Sequence, residues 1–215
     1  MDQSKDEIKE AIVAAAKDLD AVGLVLHSSG NVSARYGENV FITASGVPYS
    51  RMTTEHVIEV DMEGNPLEGE LMPSIEKGMH LGLFQARQDV QAVIHSHPVF
   101  ATAFAAARKP IPAFLDEMAV YVGGTVEVCE WALSGSHDLA EAAVETVGQK
   151  AAALLANHGM IACGVDIEEA LHVTKLVERA AITRLWTNFL GGAVDTPAEM
   201  TTMFEQVYRY KHGLT

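Results

Sequence analysis

Three histidines and one glutamate carry most of the chemistry this sequence offers. His95 and His97 stand in His95-Ser96-His97-Pro98, at the end of the apolar run Ala92-Val93-Ile94. In a strand, side chains at i and i+2 point to one face, so both imidazoles can converge on a point. The rigid Pro98 then turns the chain away. Two histidines do not make a stable divalent site, which needs a third ligand. His158 is the candidate: it follows Leu154-Leu155-Ala156-Asn157, and Gly159 beside it allows close backbone approach. A three-histidine set with one coordination position open is the arrangement of a catalytic zinc-type site. There the metal acts as a Lewis acid on a substrate oxygen or on water. Glu76, in Met72-Pro73-Ser74-Ile75-Glu76, is the acid/base candidate. Alone it reads as a first-turn glutamate favoured by the helix dipole. Beside a metal the same carboxylate serves as a fourth ligand, a general base, or each in turn. The remaining polar signals are two glycine-containing turns, residues 28–33 and 43–46. With Ser74 they offer hydroxyls and backbone N–H groups that suit a phosphate.

The elements that position these residues alternate along the chain. Apolar residues at helical spacing from Ile8 to Val22 predict an opening amphipathic helix over 5–22, with Gly23 as its stop. Asn31–Tyr36 and Val40–Thr43 read as a hairpin around Gly37-Glu38-Asn39, followed by a strand at Val57–Asp61. A helix is expected from Pro73, then a buried strand at Ala92–His97 and an Ala-rich helix at Phe100–Ala107. The second half gives a strand at Thr125–Cys129 and a helix at Asp138–Gly148. A strand at Ala152–Asn157 follows, which Met160–Cys163 continues after a break. Helices at Ile167–Leu190 and Ala198–Tyr210 close the chain. No linker or repeat interrupts this alternation, and several strand connections are hairpin-short. The expectation is one α/β domain over residues 1–215, with a mixed, mainly antiparallel central sheet flanked by helices.

Composition narrows the partners. Fifteen Lys and Arg against twenty-nine Asp and Glu give a net charge of −14 over 215 residues. Such a chain is a poor nucleic-acid binder and is repelled by anionic membrane surfaces. The N-terminus has no basic and apolar leader pattern, and no run of about 18 apolar residues suggests a membrane span. Cys129 and Cys163 belong to no metal-binding or redox spacing, so two reduced, buried thiols in a cytoplasmic protein are expected.

Taken in order, the motifs SGNVSAR, ITASGVPY, PSIE, HSHP and NHG resemble the class II aldolase/adducin family, and within it the bacterial L-fuculose-phosphate aldolases and their relatives. The resemblance spans essentially the whole chain. It implies a zinc-dependent lyase, with Mn²⁺ or Co²⁺ as substitutes, whose metal is held by His95, His97 and His158. Glu76 is the implied acid/base residue, and Ser28, Asn31, Ser45, Gly46 and Ser74 the implied phosphate contacts. The implied reaction cleaves a ketose or deoxyketose 1-phosphate to dihydroxyacetone phosphate and an aldehyde through a metal-stabilised enediolate. The family's assembly is a homotetramer with active sites between subunits. Its second acid/base residue is a tyrosine from the neighbouring chain, for which the tail offers Tyr210 or His212. Two departures keep the substrate open. Ile75 stands where sugar-phosphate aldolases often have a second serine, and the segment 112–118 lacks the expected tyrosine, with Tyr121 displaced. The same metal set therefore also fits a related retro-aldol, epimerase or decarboxylase reaction on a hydroxy-keto acid or a substrate without phosphate. A non-catalytic adducin-like module is the reading of another class.

Overall fold

A computed structural model describes residues 4–214 and shows a seven-stranded sheet in the order β3-β2-β1-β4-β7-β6-β5. Its strands are β1 (Asn31–Tyr36), β2 (Asn39–Thr43), β3 (Val57–Val60), β4 (Ala92–Ser96), β5 (Val128–Cys129), β6 (Ala152–Leu155) and β7 (Gly159–Gly164). Every pairing is antiparallel except the parallel β5–β6 edge, so the sheet is mixed and mainly antiparallel as expected. Helices α1 (Lys5–Ala21), α2 (Lys77–Ala86), α3 (Val99–Ala106), α4 (His137–Val147), α5 (Ile167–Thr187) and α6 (Ala198–Lys211) flank it. Central β4 is buried along its whole length because helices cover both faces, which explains its continuous apolar run. No described helix is long and apolar enough to cross a membrane, and both cysteines are free and buried.

Local chemistry accounts for the boundaries. Ser4 and Glu7 form a reciprocal capping box at the start of α1, which presents Ile8, Ile12, Ala16 and Leu19 to the sheet. Two expectations are corrected. The helix expected from Pro73 begins at Lys77. Pro73 instead bridges Ala44, Ser45 N–H donates to Met72 and Ser74 N–H donates to Thr43, so 72–74 runs as an extended strip beside the end of β2. Proline at a helix start was the weaker signal, since it also suits an edge strand. The run Met160–Cys163 does not continue β6 but reverses on it as β7, with Leu155 opposite Gly159. Asn157, at φ 55°, makes the tight turn, and the Arg108 guanidinium donates to its side-chain oxygen at 2.5 Å.

Opposite the histidine-bearing end of β4, a buried ionic cluster ties the C-terminal helix to the domain. Arg87 pairs with Asp89 at 2.5 Å, Asp89 accepts from His212 at 3.0 Å, and Glu169 is bonded by Lys211 and the Val165 N–H. Burial pushes the Glu169 carboxyl up, but His212, Lys211 and the Val165 N–H outweigh it and hold the group at about 2. A depressed folded-state pKa gives stability that is fully present above the unfolded value of about 4.5 and is lost as pH falls towards 2. Asp89 is lowered in the same sense: burial opposes the shift, and Arg87 and His212 overcome it. Urea midpoints should therefore fall between pH 5 and pH 3, and less steeply in Glu169→Gln; equal pH slopes for the two proteins would contradict this assignment.

Candidate metal centre and active site

The sheet brings the three histidines to one point. His95 is the penultimate residue of β4, His97 follows the strand end, and His158 lies in the β6–β7 turn beside it. Their ring centroids lie 4.7–5.0 Å apart, and one ring nitrogen of each falls within 4.8 Å of the others. His95 is wholly buried, and its Nδ1–H donates to the Met160 carbonyl at 2.9 Å, which leaves Nε2 bare and turned to its neighbours. Nε2 of His97 lies 2.9 Å from that atom. Burial, then the nearby His95 and His158, push the His97 imidazole down to about 4, so it is neutral near pH 7. Imidazole nitrogens turned to a common point are the donor set that a divalent transition metal takes, and a carbonyl-anchored Nδ1 is how such ligands are usually oriented.

Two glycines make this convergence sterically possible. Gly30 immediately precedes β1, at φ 133°, and a Cβ there would come within 2.7 Å of the His95 carbonyl. On the other flank, a Cβ on Gly159 would meet the Ser96 carbonyl at 2.4 Å and the His97 ring at 2.8 Å. Both neighbours of β4 thus approach the histidine-bearing turn through a residue without a side chain.

Glu76 closes the group from the helix side. It occupies the cap position of α2, with its carboxylate oxygens 3.2 Å from Nε2 of His95 and 3.2 Å from Nε2 of His158. Asn31 donates to one oxygen at 3.0 Å and Ser134 to the other at 2.6 Å. Burial favours the neutral acid, but the facing imidazoles of His158 and His95 and the Ser134 hydroxyl outweigh it and hold Glu76 well below the usual carboxylate range. Behind it, His80 is fully buried and bonded to Asn31 at 2.5 Å and Ser33 at 2.6 Å. Burial, then His95, lowers the His80 imidazole to about 3. Ser134 and His80 had no motif to announce them. For His80 the available signal was its place one helical turn after Glu76.

Of the phosphate candidates, Ser45 and Ser74 lie on paired segments. Ser45 and Gly46 are exposed in the turn after β2, alongside the strip that carries Ser74. Tyr49 N–H donates to the His27 carbonyl, which ties the turn bearing Ser28 to the segment that follows Ser45 and Gly46. Ser74 is buried, and its hydroxyl accepts from Glu76 N–H at 3.2 Å. The Asn31 side chain is only 2% exposed and spans from Glu76 to His80. In the tail, Tyr210 is 91% exposed, whereas His212 is buried between Asp89 and Glu169. Tyr121 lies in a π-helical turn, its ring against His172.

The sheet thus gathers three histidines and a carboxylate at one end of its central strand as a candidate metal site. The chain belongs to the class II aldolase/adducin family: residues 10–185 match the model of the Class II Aldolase and Adducin N-terminal domain. It is an enzyme of carbon–carbon bond cleavage. It is 34% identical over 183 residues to the L-fuculose phosphate aldolase of Escherichia coli O157:H7, covering 85% of each chain. It is also 34% identical over 208 residues to the 5-methylthioribulose-1-phosphate/5-deoxyribulose-1-phosphate aldolase of Escherichia coli O45:K1, covering 95% of this chain and 96% of that one. A solved L-fuculose 1-phosphate aldolase superposes with a TM-score of 0.89 at 31% identity, covering 94% and 96% of the two chains.

Proposed function

We propose that the protein is a zinc-type class II aldolase that cleaves a ketose or deoxyketose 1-phosphate to dihydroxyacetone phosphate and an aldehyde. The observation that carries this reading is the Glu76 carboxylate, its oxygens 3.2 Å from two members of a three-histidine group whose ring nitrogens converge. His95, His97 and His158 would hold the cation, which when bound supplies Lewis acidity to offset charge developing on the substrate oxygens. Glu76 moves the proton on the carbon next to the carbonyl. In synthesis its carboxylate takes that proton; in cleavage its carboxyl returns it to the same carbon after the aldehyde departs. Ser28, Ser45, Gly46 and Ser74 would receive the phosphate, joined by backbone rather than by the Asn31 side chain, which faces Glu76. This local set of donors suits an anion despite the net charge of −14.

A second proton carrier must serve the hydroxyl on the departing half. Of the two tail candidates Tyr210 is preferred, since it projects outward and His212 is engaged. Leu26, Met72, Ile75, Trp131 and Leu133 are exposed on the turns that carry or flank the site residues. They support a homotetramer whose neighbouring chain closes each site. Two reduced thiols suit a cytoplasmic enzyme.

Ile75 favours a second reading. It is 66% exposed and adds no hydroxyl beside Ser74, which fits a related epimerase, decarboxylase or hydroxy-keto acid reaction. Product analysis on a panel of ketose 1-phosphates, pentulose phosphates and hydroxy-keto acids separates the two. Dihydroxyacetone phosphate and an aldehyde are expected. Pyruvate release from a substrate without phosphate would overturn the sugar-phosphate reading.

A further inference from the structure

We infer that His80 and Ser33 form a buried relay whose task is to fix the amide of Asn31, and through it the position of the Glu76 carboxylate; they are positioning residues, not catalytic ones. This rests on the reading of Glu76 as the proton carrier. Asn31 and Ser33 are two apart on β1 and share a face, while Glu76 and His80 are four apart at the start of α2 and share a face. A two-residue strand step is roughly 6.6 Å and a four-residue helix rise about 6 Å, so the two pairs match along their lengths.

The donors and acceptors have only one consistent order. The Glu76 carboxylate can only accept, so Asn31 presents Nδ2–H to it at 3.0 Å. Oδ1 of Asn31 then faces Nε2 of His80 at 2.5 Å, and this contact requires a proton on Nε2. A neutral imidazole protonated there has a bare Nδ1, which accepts from the Ser33 hydroxyl at 2.6 Å. Flipping the Asn31 amide would set its oxygen against the carboxylate and its N–H₂ against another N–H. Asn31 is 2% exposed and Ser33 and His80 are wholly buried, so water is not available to rescue a flipped amide. The Ser134 hydroxyl, on the second oxygen of Glu76, comes from an exposed loop and lacks this backing.

The relay is tested with His80→Leu, His80→Gln and Ser33→Ala. Leu removes the donor to Asn31, whereas Gln can restore it. His80→Leu should lower kcat by about tenfold or more, with KM and bound metal unchanged at temperatures well below its Tm. His80→Gln should recover most of that loss, and Ser33→Ala should fall between wild type and His80→Leu. Unchanged kcat in His80→Leu would overturn the relay, as would equal loss in the Leu and Gln variants accompanied by loss of metal. A second readout needs no turnover: the ¹⁵N spectrum of His80 in metal-free wild type should show the Nε2–H tautomer, and Nδ1–H would refute the assignment. A wild-type protein inactive on every carbonyl substrate but with the Nε2–H tautomer would sink the aldolase reading and leave the relay standing.

Discussion

Glu76→Gln is expected to lower turnover by about a hundredfold to ten-thousandfold, the range for loss of a positioned general acid/base. That is about 3–5 kcal/mol of transition-state stabilisation. The substitution keeps the size of the side chain and an oxygen for Asn31 to bond, so the carboxylate's capacity to take a proton is what disappears. Because His95, His97 and His158 remain, metal content should match wild type. Steady-state cleavage at saturating substrate, with elemental analysis of the same sample, checks both halves. Wild-type turnover in the variant would remove Glu76 from the proton pathway.

His158→Ala is expected to abolish activity by another route. The residue sits in the partly exposed β6–β7 turn, so truncation leaves the sheet intact and shifts Tm by only a few degrees or so. It takes away one of the three histidines proposed to hold the cation and one of the two imidazoles facing Glu76. Metal affinity should fall by more than the roughly 10–100-fold that loss of an outer hydrogen-bond partner costs. The contrast is diagnostic: Glu76→Gln is metal-loaded and slow, His158→Ala is metal-poor and inactive. A fully loaded, active His158→Ala protein would exclude His158 from the centre.

The histidine group was legible in the sequence because strand alternation is short-range: His95 and His97 share a face whatever the rest of the fold does. His158 was legible as a histidine ending an apolar run, although the turn that presents it reverses the chain, which the run Ala152–Cys163 did not disclose. The turn depends on Asn157 in a left-handed conformation held by Arg108, a contact 49 residues distant. The start of α2 was misplaced for a similar reason, since Pro73 is held extended by Ala44 and not by its own neighbours. Ser134 lies 58 residues from the carboxylate it bonds, in a loop without periodicity, and His80 belongs to no motif. His212, read as a tail candidate for proton transfer, lies in an ionic cluster whose partner Asp89 is 123 residues away. Local patterning found the histidines; the groups around them are set by packing between distant segments.

The central claim is that three imidazoles hold a cation without which the carbon–carbon bond is not cleaved. It is tested by stripping the protein with a chelator, confirming removal by elemental analysis, and following dihydroxyacetone phosphate release during back-titration. Activity should vanish with the metal and return at about one equivalent of Zn²⁺, Mn²⁺ or Co²⁺ per chain. Undiminished turnover in protein shown to be metal-free would contradict the account.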